Sequence, residues 1–184
     1  INPLPEGAIS NTSDTSVCEG EDIYVDYTVS GNSPWTIVFG DDNPLDTVIV
    51  SDNTGTINFP VSESSEIQII DIEDDSTCHA DVTGMEGSIG LTVYPYPEAN
   101  AGMDSAVCGL EYTLNAAIDA DSGIWSANNV SFTDPNDSQT LVIANDYGEH
   151  TLTWTEYNWV CSDSADVTVT FDEQPPETDA GENI

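Results

Sequence analysis

Carboxylates are the abundant reactive group in this chain: 35 residues are Asp or Glu, none is Lys or Arg, and the net charge is −35. The chemistry open to such a set is oxygen ligation of a hard cation, since Ca²⁺ takes roughly six to eight oxygens from carboxylates, amide side chains and carbonyls. The densest group is Asp71, Glu73, Asp74 and Asp75, just ahead of Cys78. A second group is Glu98, Asn100 and Asp104, echoed as Glu177, Asp179 and Asn183. Asp41 with Asp42 sits in a turn, and Asp119-Ala-Asp121-Ser-Gly123 is half of a calcium-loop pattern without its closing Glu. The alternative for every group is that the acids only solvate surface loops in a salty medium.

Other chemistries find less material. Glycoside hydrolysis needs two carboxyls at a set separation in a cleft, with positioning groups that Arg and Lys usually provide. Phosphoryl transfer lacks a Gly-rich Lys loop. His79 and His150 stand without a Ser or Cys nucleophile motif beside them. The chain therefore reads as non-enzymatic. The charge excludes nucleic acid and anionic membrane surfaces as partners, because both recruit Lys and Arg. No run approaches the ~18 apolar residues of a membrane span, so direct membrane insertion is not expected. There is no Met start and no basic segment ahead of an apolar one, so a signal peptide is absent or already removed.

The elements that must position these groups come in two copies. Cys18 and Cys108 are each followed 17 residues later by a Trp, Trp35 and Trp125, in short strand-like runs. Cys78 and Cys161 each precede a final alternating strand, residues 89–94 and 166–171, and a Pro-rich joint follows each. After the joints, PEANAGMD at 97–104 is answered by PETDAGEN at 176–183, an offset of 79 residues from Pro97 to Pro176. The predicted organisation is one unit over 1–96, a second over 97–175, and the opening of a third at 176–184. Further strands are predicted at 22–30, 47–51, 55–61, 66–72, 111–118, 139–144 and 149–156, rich in Val, Ile, Thr and Tyr between turn residues. In 149–156, Leu152 and Trp154 alternate with Thr151, Thr153 and Thr155, the pattern of a sheet buried on one face. No apolar period of 3.6 appears. The expected fold is all-β: tandem immunoglobulin-like antiparallel β-sandwiches, with Trp35, Trp125 and Trp154 in the cores. The four cysteines lack metal-site spacing, and the pairing that respects the repeat is Cys18–Cys78 and Cys108–Cys161. Two disulfides imply an oxidising, extracellular setting.

The unit P-E-x-x-A-G-x-D-x-x-V-C, then a Trp strand, YGEHTLTWTE and C-x-D-S-A-x-V-T-V, resembles the immunoglobulin-like and PKD-like repeats of large Bacteroidetes surface proteins, such as SprB-like gliding adhesins and other type IX-secreted cargo. The resemblance is best over 97–184. It implies a structural or adhesive segment of a long stalk, filament or adhesin at the cell surface, with neighbouring repeats as partners. Asp-Ser/Thr followed by a small or aliphatic residue resembles the O-glycan acceptor of such proteins, at Thr47, Ser105 and Ser164. Asn11, Asn129 and Asn136 head N-x-S/T sequons.

A calcium ion held by the Glu98–Asp104 set would stiffen the joint. Tyr157 and Trp159 sit just before Cys161; they either stack on a surface glycan or partner, or pack back on the local disulfide. Rival readings are a glycan-binding module, an accessory segment of a secreted hydrolase, and a polymer subunit whose residues 1–17 complete a neighbour's sheet.

Overall fold

The computed structural model describes residues 3–11, 15–41, 44–81 and 85–175. Those residues form sixteen strands and no helix. The chain divides between Pro95 and Tyr96 into two compact units.

The first unit holds β1 (Glu6–Asn11), β2 (Ser16–Cys18), β3 (Asp22–Ser30), β4 (Trp35–Gly40), β5 (Pro44–Val50), β6 (Thr54–Pro60), β7 (Ser65–Asp74), β8 (Met85–Glu86) and β9 (Ser88–Tyr94). One sheet has the order β2-β9-β7-β4-β5 and the facing one β6-β3-β1-β8. Period-2 alternation drives the assembly: in β3, Ile23, Val25, Tyr27 and Val29 point inward while their neighbours face out. They meet Trp35, Ile37, Phe39, Ile67 and Ile72 from the other sheet. Each such buried side chain contributes roughly 1.5–3 kcal/mol of apolar transfer, which offsets the repulsion among the surface carboxylates.

The second unit holds β10 (Ser105–Cys108), β11 (Glu111–Thr113), β12 (Ser122–Ser126), β13 (Val130–Phe132), β14 (Leu141–Ala144), β15 (Gly148–Asn158) and β16 (Cys161–Asp172). Its sheets run β10-β16-β15-β12 and β11-β14-β13. The order β2-β9-β7-β4 of the first unit thus recurs as β10-β16-β15-β12. In both, the short opening strand lies parallel to the last one: Cys18 beside Tyr94, and Cys108 beside Asp172. The core gathers Trp125, Trp154, Leu152, Val169 and Phe171, with the two indoles 5.2 Å apart and tilted by 47°.

This topology corrects the expected disulfides. Cys78 and Cys108 are free thiols, whereas Cys18 and Cys161 are disulfide-bonded. In the first unit Cys18 lies level with the start of β7, where Ser64 receives the Val93 amide at 2.9 Å. Cys78 lies at the far end of β7, its amide on Asp74. The ten residues of β7 separate them by about 30 Å. In the second unit Cys161 opens β16 and Cys108 sits beside its last residue; the twelve residues of that strand span roughly 36 Å. A disulfide needs Cα atoms within about 7 Å, so neither in-unit pairing can form.

Candidate functional site

With no Lys or Arg to pair with, the carboxylates take their partners from backbone amides, hydroxyls and side-chain amides. Asp74 is the clearest case. It is 3% exposed, at the end of β7 where the chain turns through Thr77 at φ 58°. Its Oδ1 accepts the amides of Ser76 (2.9 Å) and Cys78 (3.2 Å), and its Oδ2 accepts that of Asn32 (3.3 Å). Asp71 points elsewhere: both of its oxygens lie 3.0 Å from His79 Nδ1. That hydrogen bond, and then the carboxylate charge, raise the His79 pKa above its ordinary value. Glu73 forms a bridge to His79 through backbone, and the Asp75 amide donates to Asn32 O at 3.0 Å. Of these four acids, Asp74 thus caps a buried turn and Asp71 pairs with the exposed His79, while Glu73 and Asp75 join the same region through their backbone.

The joint residues are similarly engaged. Asn100 Oδ1 accepts the Gly102 amide at 3.0 Å, and Asp104 Oδ1 accepts the Thr168 amide at 2.8 Å, fastening the approach to β10 onto β16. Asp163 Oδ2 takes the Ala99 amide at 3.0 Å. Glu98 is exposed. Asp42, Glu177, Asp179 and Asn183 lie outside the described residues. Among the described residues, no three His, Cys, Asp or Glu side chains are grouped so as to hold a metal ion.

Sequence reasoning missed Glu156. It occupies an inward position of β15 in line with His150, Leu152 and Trp154, and is fully buried. Its Oε1 accepts the Trp154 indole N–H at 2.9 Å, and the Asp119 amide reaches both oxygens at 3.3–3.4 Å. The extension of the Leu152/Trp154 alternation by one step was the available signal. His150 is buried against Phe171, edge to face at 5.5 Å, with Nε2 3.1 Å from Asp146 O and 3.2 Å from Asp146 Oδ1. Each histidine therefore has a carboxylate neighbour.

Thr47 lies exposed on the edge strand β5, its amide on Asp46 Oδ1 at 2.8 Å. Ser164 is exposed on β16 and 2.8 Å from Thr155 Oγ1, whereas Ser105 Oγ is half-buried against Tyr112 Oη at 2.8 Å. Tyr157 is 41% exposed, and Trp159, at φ 55° in the β15–β16 turn, is 73% exposed.

No protein-family model and no curated protein sequence matches the chain. Solved structures do. The N-terminal eight Ig domains of Down Syndrome Cell Adhesion Molecule align over 92% of this chain and 25% of that one, with TM-score 0.53 and 14% identity. A titin I-band fragment, I67–I69, aligns over 94% of this chain and 65% of its own length, with TM-score 0.46 and 15% identity. Fibronectin(III)-like modules of Clostridium thermocellum CbhA align over 95% of this chain and the whole of theirs, with TM-score 0.43 and 11% identity. The chain thus spans a quarter of the adhesion-molecule fragment and just under two thirds of the titin one. At these identities the likeness to the adhesion-molecule domains establishes the fold alone: tandem immunoglobulin-like sandwiches.

Proposed function

We propose that this chain is a load-bearing repeat segment of an extracellular stalk, filament or adhesin, of the kind found in Bacteroidetes surface proteins. The observation that carries the reading is the parallel pairing of opening and closing strands in both units. In the second unit, load enters β10 at Ser105, beside Val169, and leaves β16 at Asp172, beside Cys108. Parallel strands drawn from opposite ends are loaded in shear, so the ladder bonds bear force together. Terminal strands in an antiparallel pair would unzip one bond at a time. β2 and β9 repeat the arrangement. The disulfide state of Cys18 and Cys161 supports an oxidising compartment, and exposed Thr47 and Ser164 suit surface glycosylation. The absence of Lys and Arg leaves no cleavage point for trypsin-like proteases.

Pulling the chain by its two ends tests this. Two unfolding events are expected. The Gly109 amide donates to Asp172 O at 2.9 Å, and the two-residue period of the ladder places the Val107 amide in it as well. Val107→Pro is expected to lower the force of one event and leave the other unchanged. A single event, or two events indifferent to Val107→Pro, would sink the shear-bearing reading.

A second reading is an adhesive patch, favoured by the exposure of Tyr157 and Trp159 on one turn, where aromatic faces suit sugar stacking. Undiminished glycan binding by Trp159→Ala would remove it.

A further inference from the structure

In the second sandwich, β13 and β14 pair so that Val130 stands opposite Ala144, which brings the turn before β13 against the turn after β14. The Asn145 amide donates to Asn129 O at 3.0 Å and joins the two turns. Together with the start of β15 they line an open cavity of about 390 Å³, a size within the roughly 300–1,000 Å³ of small-molecule sites. Its polar groups hold one another in place. Asn129 Nδ2 donates to Asp146 Oδ2 at 3.0 Å, which leaves Asn129 Oδ1 as an acceptor. His150 Nε2 stands 3.1 Å from Asp146 O and 3.2 Å from Asp146 Oδ1. Two acceptors around one nitrogen make it the donor, so the neutral ring keeps its lone pair on Nδ1. His150 is only 9% exposed, yet none of its hydrogen bonds uses Nδ1. Among the described residues no fully buried side-chain nitrogen is left without a partner, so Nδ1 is open to the cavity that the histidine lines. Tyr147 stands at the same cavity, 46% exposed, and the exposed Asn128 and Thr151 add an amide and a hydroxyl.

The chemistry of this lining selects the ligand. An anion would face Asp146 and Glu149 with no Lys or Arg in the chain to offset them. A metal ion finds no group of three His, Cys, Asp or Glu side chains among the described residues. An apolar molecule would cover the carboxylate, amides and imidazole without bonding them. An ammonium group only donates, which suits Asp146 but leaves the Asn128 amide and the Thr151 hydroxyl unused. A sugar hydroxyl both donates and accepts, so one ring can serve both sets while its C–H face lies on an aromatic side chain. We propose that this cavity is a binding site for a neutral pyranose. Its hydroxyls donate to Asp146, Asn129 Oδ1 and His150 Nδ1 and accept from Asn128 and Thr151, and the sugar ring stacks on Tyr147. The site stands at the start of β15, whereas Tyr157 and Trp159 stand at and beyond its end, and it does not depend on the load-bearing reading.

Proton–nitrogen NMR of the full chain, titrated with the methyl glycosides of glucose, galactose, mannose and N-acetylglucosamine, tests the assignment. Saturable shifts of the Asn129, Asp146 and Gly148 amides are expected with at least one of these sugars. Asn129→Gly removes the side chain at a position whose φ of 64° glycine adopts freely. It and Tyr147→Ala should each weaken that binding about tenfold, the effect of deleting one well-made contact, while the second unit still melts as a folded domain. Trp159→Ala should leave the binding unchanged. No saturable shift at those amides with any of the glycosides overturns the proposal. Shifts there with propylammonium but with no glycoside also overturn it, making the cavity a cation site. Binding lost in Trp159→Ala and kept in both other variants moves the sugar to the β15–β16 turn and overturns it as well. The load-bearing reading is decided separately, by the unfolding events under force.

Discussion

Gly123 is a single position where the packing of the second sandwich can be weighed. It lies on β12 opposite Glu156 on β15, and a Cβ added there would collide with three ring atoms of Trp154: Cζ2, Cη2 and Cε2. Trp154 is fully buried, so the ring has no solvent to move into. Gly123→Ala therefore forces the indole aside, and overpacking of this kind costs about 1–3 kcal/mol. The same displacement pulls the indole N–H from Glu156 Oε1, now at 2.9 Å, leaving a buried carboxylate short of a donor at a further cost of about 1–3 kcal/mol. A loss on the order of 3 kcal/mol is expected, lowering the melting temperature of a domain this size by on the order of 15 °C. Urea unfolding followed by tryptophan fluorescence reads it, because Trp125 and Trp154 both report from that core. Gly90→Ala on β9 is the control: nothing lies within 4 Å of its added Cβ, and it is expected to be neutral or slightly stabilising. A Gly123→Ala loss below about 1 kcal/mol would refute the claim that this glycine seats the tryptophan.

Asp74→Ala strips the acceptor from three amides at the end of β7 and is expected to cost about 2–4 kcal/mol in urea unfolding of the first unit; Asp74→Asn, which keeps one oxygen, should cost less. His79 has its pKa raised by Asp71. The pair's stabilisation is therefore complete below the ordinary value near 6.5 and disappears as pH rises through the raised one. NMR titration should show that pKa fall back toward its ordinary value in Asp71→Asn, and an unmoved titration would contradict the pairing. Because the net charge is −35 with no compensating cation, melting temperature should climb with NaCl as the screening length shrinks from about 10 Å at 0.1 M to 3 Å at 1 M. CaCl₂ at matched ionic strength should add nothing more. A saturable extra rise reversed by EDTA would instead establish a specific ion site, with the Asp71–Asp75 and Glu98–Asp104 groups as its first candidates.

The strongly alternating segments are legible in the residue pattern alone. Residues 22–30, 55–61, 66–72 and 89–94 become β3, β6, β7 and β9 within a residue or two, because inward Val, Ile and Phe at every second position leave one face to bury. The strands that the pattern does not disclose are β1, β2, β8, β10 and β13. They are two to six residues long, and a run such as Ser-Val-Cys contains too few periods to declare itself. Their strand character is conferred by the neighbour they pair with. Glu156 is hidden for a different reason: a Glu suggests an outward position, and only the Trp154 indole and the Asp119 amide make an inward one tolerable.

The cysteines show how one unforeseen strand pairing changes a functional conclusion. Spacing places Cys18 and Cys108 ahead of the first long strand and Cys78 and Cys161 ahead of the last. If the opening and closing strands were antiparallel, the end of one would meet the start of the other, and each in-unit pair would be close enough to bond. The structure makes them parallel. The opening strand's cysteine then travels with the closing strand's exit, a full strand length from the cysteine at its entry. The same parallel pairing that puts the terminal ladder in shear thus forbids a disulfide within the sandwich and leaves a sulfur at each end of it. The separation of the two cysteines in each sandwich and the shear geometry of its terminal strands follow from one feature of topology, and a strut of the kind proposed would draw on the second.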